Sequence, residues 1–257
     1  MTGDNTGQRT VKTAETVVDI IETLSELERA SLTELAAALD MPRSTLHVHL
    51  STLVEQELLV KEENEYRLGM TFLCHGTKVQ KRNALYQKSG EFLRQVARQT
   101  EEIVWLVVEE YGEGVCLRKE KGELAVQPYK QIGKRITLHD TAAGKSILSQ
   151  FTEPQIREIA EKNGLQDRTP NTITDLDELL EEIETVRERN VAFNDEESIE
   201  GFRAVASPVS APDGQVGAIV VSGPKNRLRG EQFSETIPEI VSGAANALEL
   251  ELSSNSG

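Results

Sequence analysis

The sequence predicts an α+β fold arranged as two units. Three observations carry that reading. Residues 11–70 follow the order helix, helix, turn, helix and short hairpin. After residue 100, short continuous apolar runs replace the amphipathic pattern, as buried strands do. Those runs are joined by hairpin-type turns and mixed with polar-faced helices, which points to a largely antiparallel sheet. The 257 residues are enough for two cores. The expected boundaries are a disordered tail at 1–10, a first unit at 11–70, a linker helix at 71–90, a second unit at 91–252 and a tail at 253–257.

The first helix is expected from Val11 to Leu27, where Ala14, Val17, Val18, Ile21 and Leu24 recur at helical spacing. Ser31 stands three residues before Glu34, a capping-box signature, and opens a helix carrying Leu32, Leu35, Ala36 and Leu39. Asp40-Met41-Pro42 breaks the pattern, and Pro42 suits the start of the next helix. That helix runs from Ser44 to about Glu57 on an apolar stripe of Leu46, Leu50, Leu53 and Val54. Strands follow at Leu58–Val60 and Tyr66–Gly69, with Lys61–Glu65 as the turn. From Tyr66 to Gly90 there is no acidic residue, while Arg67, Lys78, Lys81, Arg82 and Lys88 lie there. This stretch reads as a helical connector, either simply solvated or placed near an acidic partner. Ile103–Val108 is a buried strand, paired through a turn with Gly114–Arg118. Thr152 and Asp175 open helices, strands are expected at Phe202–Val209 and Val216–Val221, and a last helix runs from Phe233 to Leu252.

Composition excludes several classes. No apolar run reaches the roughly 18 residues a membrane helix needs. The polar start, Met1 to Thr10, is not a signal peptide. Cys74 and Cys116 cannot build a disulfide framework, which fits a reducing cytoplasm. Ala143-Gly144-Lys145-Ser146 resembles the end of a phosphate loop, but His139 stands where that loop needs glycine. Lys145 is therefore expected near a helix start, in structural or ligand contacts. Asp195 and Glu196 read as turn and capping residues, because no nucleophile, metal spacing or carboxylate pair accompanies them. No catalytic residue, metal or cofactor is expected, and the chain is not read as an enzyme.

The first unit has the layout of a winged helix-turn-helix, whose third helix enters the DNA major groove. With Leu46, Leu50, Leu53 and Val54 facing inward, Ser44, Val48, Ser51 and Thr52 face outward, flanked by Thr45 and His47. Arg43 at the helix start can reach phosphate or guanine, and Lys61 and Arg67 lie on the hairpin. A helix face that merely meets solvent in so acidic a chain would carry Glu and Asp. The net charge of −15 argues the other way. Residues 1–70 alone hold 6 Lys and Arg against 13 Asp and Glu. Either the unit contacts protein, as part of a sensor or scaffold, or the host keeps high internal salt, where acidic surfaces stay hydrated. The motif favours the second reading.

The segment LTELAAALDMPRSTLHVHLSTLVEQELLVKEENEYRLG resembles the DNA-binding module of IclR-type transcriptional regulators. LHDTAAGKSIL, NDEESIEGFRAVASPV and GAIVVSGP resemble that family's later segments, in the right order over residues 11–252. With the acidity, the resemblance suggests a halophilic archaeal member. It implies a C-terminal effector domain with a GAF-like sheet, a pocket for a small metabolite such as an organic or sugar-derived acid, and a homodimer or homotetramer on an imperfect palindrome of double-stranded DNA. By motif position the effector would meet Ala142, Ala143, Asn194, Ala204, Val220 and Ser222. Two departures stand out. Val48 occupies a place where the family often has Arg, and Asn194 and Ala204 replace the Asp and Cys of relatives that sense small acids. The Asn194 amide, both donor and acceptor, suits a hydroxylated or carboxylated ligand.

Overall fold

The structure is a computed structural model describing residues 10–125 and 131–254. The tails expected at 1–10 and 253–257 lie mostly outside the described residues. The chain divides into two compact units that meet at Val79 and Gln80.

The first unit contains α1 (Lys12–Leu27), β1 (Ala30–Ser31), α2 (Leu32–Ala38), α3 (Arg43–Glu55), β2 (Leu59–Glu62) and β3 (Glu65–Leu68). The Ser31–Glu34 capping box forms in both directions, and Pro42 holds the N-cap position of α3 without a side-chain cap bond. Ile20, Leu24, Leu35, Leu46, Leu50, Leu53, Leu59 and Tyr66 close one apolar core. The hairpin is tighter than expected. Lys61 and Glu62 belong to β2, so the turn is only Glu63-Asn64, with Glu63 at φ 53°. The expected five-residue turn was wrong because charged side chains sit comfortably on an exposed strand, and polarity alone does not mark a turn. β1 went unexpected: at two residues, it exists only through its pairing with β3.

Then come α4 (Thr71–Arg82), none of whose residues is buried, and α5 (Ala84–Thr100), capped by Asn83. Leu85, Ser89 and Gly90 are already buried in the second unit, so α5 is a core helix from its first turn.

The second unit adds β4 (Ile103–Glu110), β5 (Glu113–Lys121), β6 (Arg135–Ile136), α6 (Ala142–Leu148), α7 (Glu153–Asn163), α8 (Leu176–Arg189), β7 (Ala192–Asp195), β8 (Phe202–Ser210), β9 (Val216–Pro224), a π-helical turn (Gln232–Thr236) and α9 (Ile237–Ser254). One antiparallel sheet runs β6-β5-β4-β9-β8-β7. The strand period of two sorts β4 into two cores. Val104, Leu106 and Val108 pack with α5 and α9, whereas Ile103, Trp105 and Val107 pack with α6, α7 and α8. The expected helix from Phe233 begins instead as the π turn and becomes α-helical at Ile237.

Candidate functional site

The outward face of α3 presents Arg43, Ser44, Thr45, His47, Val48, Ser51 and Thr52, all exposed. Val48 is 65% exposed, an apolar contact point on an otherwise polar face. The Ser51 and Thr52 hydroxyls donate back to the carbonyls of His47 (2.8 Å) and Val48 (3.1 Å), leaving their lone pairs outward. No acidic residue occurs in α3 before Glu55. Lys61 is exposed on the hairpin beside the Tyr66 ring. Arg67 differs: it is half-buried and its guanidinium donates to Glu62, whose carboxyl this bond holds below its ordinary value. Arg29 lies 3.4 Å from the same carboxylate. Arg67 thus reads first as a brace of the hairpin.

In the second unit Ala142, Ala143, Asn194, Ala204, Val220 and Ser222 line one cavity of about 340 Å³. Asn194, Ala204, Ser222 and Ile103 are successive partners across β7, β8, β9 and β4. Trp105 faces Val220 in the adjoining row. The cavity exists because its walls are small on two sides: Ala142 and Ala143 of α6 and Ala204 of β8 stand where larger side chains would fill it. Gly144 lets α6 sit this close. A Cβ there would lie 2.2 Å from the Leu138 backbone, so this glycine serves packing and not phosphate binding.

Trp105, Val107, Cys116, Ile136, Thr141 and Ser198 also line it, and motif position had not pointed to them. The alternation of β4 already placed Trp105 and Val107 on one face, but nothing in the sequence said which face carried the cavity. Two buried polar atoms of the lining, Trp105 Nε1 and Ser222 Oγ, have no hydrogen-bond partner among the described residues. Buried polar atoms are seldom left so, and a small bound group can supply the partner. Asn194 is the opposite case. Its Nδ2 donates to the Asp140 carbonyl (2.5 Å) and Ser198 Oγ (3.2 Å), and its Oδ1 accepts from the Glu197 amide. The amide expected to greet a ligand is occupied in holding the wall of the cavity.

Behind that wall Lys145 is 2% exposed, with Nζ 2.7 Å from Glu197 and 3.3 Å from Glu182. Burial pushes the Glu197 carboxyl up, against the opposing pull of Lys145. Asp195 holds Arg203 through both oxygens, and Glu196 accepts from the Gly201 amide and Lys225. These acids are structural. Among the described residues no group of His, Cys, Asp and Glu could hold a metal, and no helix is long and apolar enough to cross a membrane.

A winged helix-turn-helix whose third helix turns an exposed face free of acids outward, followed by a sheet domain with a cavity under a helix, is the architecture of an effector-responsive transcriptional regulator. Residues 13–63 match the IclR helix-turn-helix domain, and residues 77–250 match the domain described as bacterial transcriptional regulator IclR C-terminal. The chain belongs to the IclR family of transcriptional regulators. It is 31% identical to a Halobacterium salinarum protein named "Probable HTH-type transcriptional regulator ArcR", over 96% of this chain and 97% of that one. It is 29% identical to the Escherichia coli regulator XynR, over 77% and 80%. The Thermotoga maritima IclR structure superposes with a TM-score of 0.77 at 26% identity, covering 94% and 98%. An IclR homologue of Microbacterium hydrocarbonoxydans, solved with 4-hydroxybenzoate, shares the fold at a TM-score of 0.81 and 19% identity, covering 95% and 100%. These relatives are regulators rather than enzymes.

Proposed function

We propose that the chain reads an imperfect palindrome through α3 in a homodimer or homotetramer, and that a small metabolite in the α6 cavity controls this reading in the cytoplasm. The observation carrying the DNA part is the α3 face: twelve successive positions, Arg43 to Val54, without an acid in a chain of 43. Arg43 and Lys61 meet phosphate or guanine, Ser44, Thr45, His47, Ser51 and Thr52 position the helix, and Val48 touches a thymine methyl. Arg67 plays a lesser part, being held by Glu62. A symmetric oligomer needs a symmetric site, because paired half-sites are engaged together.

Effector control is supported by the cavity and its two unpartnered polar atoms. The homologue solved with 4-hydroxybenzoate makes a small organic acid a reasonable class. Trp105 Nε1 and Ser222 Oγ supply the polar contacts, while Ala142, Ala143, Ala204 and Val220 set the shape. A ligand that favours one arrangement of the paired reading units shifts the population that can bind DNA.

The test is fluorescence anisotropy of the full chain on its own upstream DNA, with KCl raised to molar concentration. Specific saturable binding is expected, with a log–log salt slope of only about −2 per reading unit, since about two cations per unit are free to meet phosphate. A slope several times steeper would show that other basic residues carry the contact. Binding to protein instead of DNA, with Arg43→Ala silent, would favour the scaffold alternative.

A further inference from the structure

The α6 cavity adjoins a second, more open recess of about 820 Å³, and Ile136, Thr141 and Ser198 line both. The two chambers differ in charge. Among the described residues, the inner one has no ionisable side chain other than Cys116 in its lining. The outer one is lined by Lys134, Arg135 and Arg168 against Glu113 and Asp140, a cationic excess in a chain of net charge −15.

The three cations are held differently. Arg135 is committed to Glu110 and Glu113. Arg168 is anchored through one nitrogen: its Nε lies 2.9 Å from Oδ2 of Asp140, whose side chain is 1% exposed while that of Arg168 is 45% exposed. Its Nη2 meets only the neutral Gln166 amide oxygen, at 3.2 Å. Lys134 is exposed, and no carboxylate pairs with its ammonium among the described residues. A guanidinium steadied by a buried carboxylate keeps its fork oriented, and an unpaired ammonium beside it adds a mobile point charge.

We propose that Lys134 and Arg168 form an anion-reading subsite at the mouth of the effector cavity, which takes a carboxylate on the outer end of a ligand whose compact neutral head occupies the inner chamber. This rests on the effector reading above. The inner chamber is narrow, with room for only a small group, so a longer ligand must extend outward. An ionised group in that neutral, largely apolar chamber would lose its hydration without a counter-charge, whereas at the mouth it keeps part of its water and gains two cations. The head should carry a hydrogen-bond acceptor, such as a ketone oxygen, for Trp105 Nε1 and Ser222 Oγ.

The experiment is titration calorimetry of the full chain with the methyl-ketone acids from 4-oxopentanoate to 7-oxooctanoate, each beside its primary amide. Wild type, Lys134→Gln, Arg168→Gln and Ala204→Trp are compared, with circular dichroism confirming each fold. At the best tail length the acid should bind at least tenfold tighter than its amide. Lys134→Gln and Arg168→Gln should bring the acid to the affinity of the amide and leave the amide unchanged. Lys134 is exposed and makes no ion pair among the described residues, so its variant tests the subsite even if Arg168→Gln unfolds. Equal affinity of acid and amide, equal weakening of both by Lys134→Gln, or no binding of any acid overturns the proposal. So does competition by inorganic phosphate alone at the acid's own affinity, which would mark a free-anion site. Ala204→Trp reports separately on the inner chamber. If it blocks both acid and amide while Lys134→Gln is silent, the cavity reading stands and the subsite falls. If both compounds still bind Ala204→Trp, the cavity reading itself fails.

Discussion

The two units treat polar groups in opposite ways. In the first, the buried residues are apolar apart from Thr16 and Gly69, and every group offered for recognition lies outside. In the second, Glu102, His139, Asp140, Lys145, Asn194 and Glu197 are all buried. A reader of DNA needs only a solid apolar base and a surface that fits a groove. A sensor must keep polarity inside, where it meets a small molecule away from water, and each buried charge must then be matched by a partner. The first unit can lose a surface group and stay folded, whereas the second cannot lose one member of a buried pair without cost.

The strongest way to break this contrast is Lys145→Met. Removing one partner of a buried pair costs about 3–5 kcal/mol, and urea denaturation at fixed KCl should show a loss of that order. A loss near zero would mean that Glu197 and Glu182 reach water and the second unit is less dry than its geometry implies. Next is Arg43→Ala, expected to weaken specific DNA binding by about 1–3 kcal/mol with an unchanged melting temperature. Arg67→Ala on the same DNA should change affinity by less than about 1 kcal/mol, since its pair with Glu62 near the surface already occupies it. Equal effects of the two would remove the distinction between reader and brace.

Ser31→Ala should cost the first unit about 1 kcal/mol through its lost cap, detectable as an earlier urea midpoint. The smallest effect is the pH dependence from Glu197. Its folded value is raised above 4.5 by burial, so the stability it contributes is complete below 4.5 and is lost as pH rises through the raised value. Glu197→Gln should flatten that part of the stability profile, and an unchanged profile would show that Lys145 balances the burial fully.

Much of the first unit was legible in the sequence because its signals are local. Ser31 with Glu34, Pro42 before α3, and the stripe of Leu46, Leu50 and Leu53 act within a turn or two of themselves. What the sequence misjudged there was the hairpin, where Lys61 and Glu62 form a strand through pairing with Tyr66 and Glu65. In the second unit, motif resemblance pointed to the six residues gathered at the α6 cavity, but not to what each does there. Asn194 looked available and is tied into the wall, while Trp105 looked like plain core and carries an unpartnered N–H.

The sequence by itself determined the three helices of the first unit, the outward face of α3, and the missing glycine of a phosphate loop, because helix periods and capping are properties of neighbouring residues. Only the tertiary structure decided that Ala204, Val220 and Ser222 enclose a space with Ala142 and Trp105, and that Lys145 lies buried between Glu197 and Glu182. Cavities and buried pairs depend on which strand faces which helix, over separations that reach 52 residues for Lys145 and Glu197, and no local pattern encodes that distance.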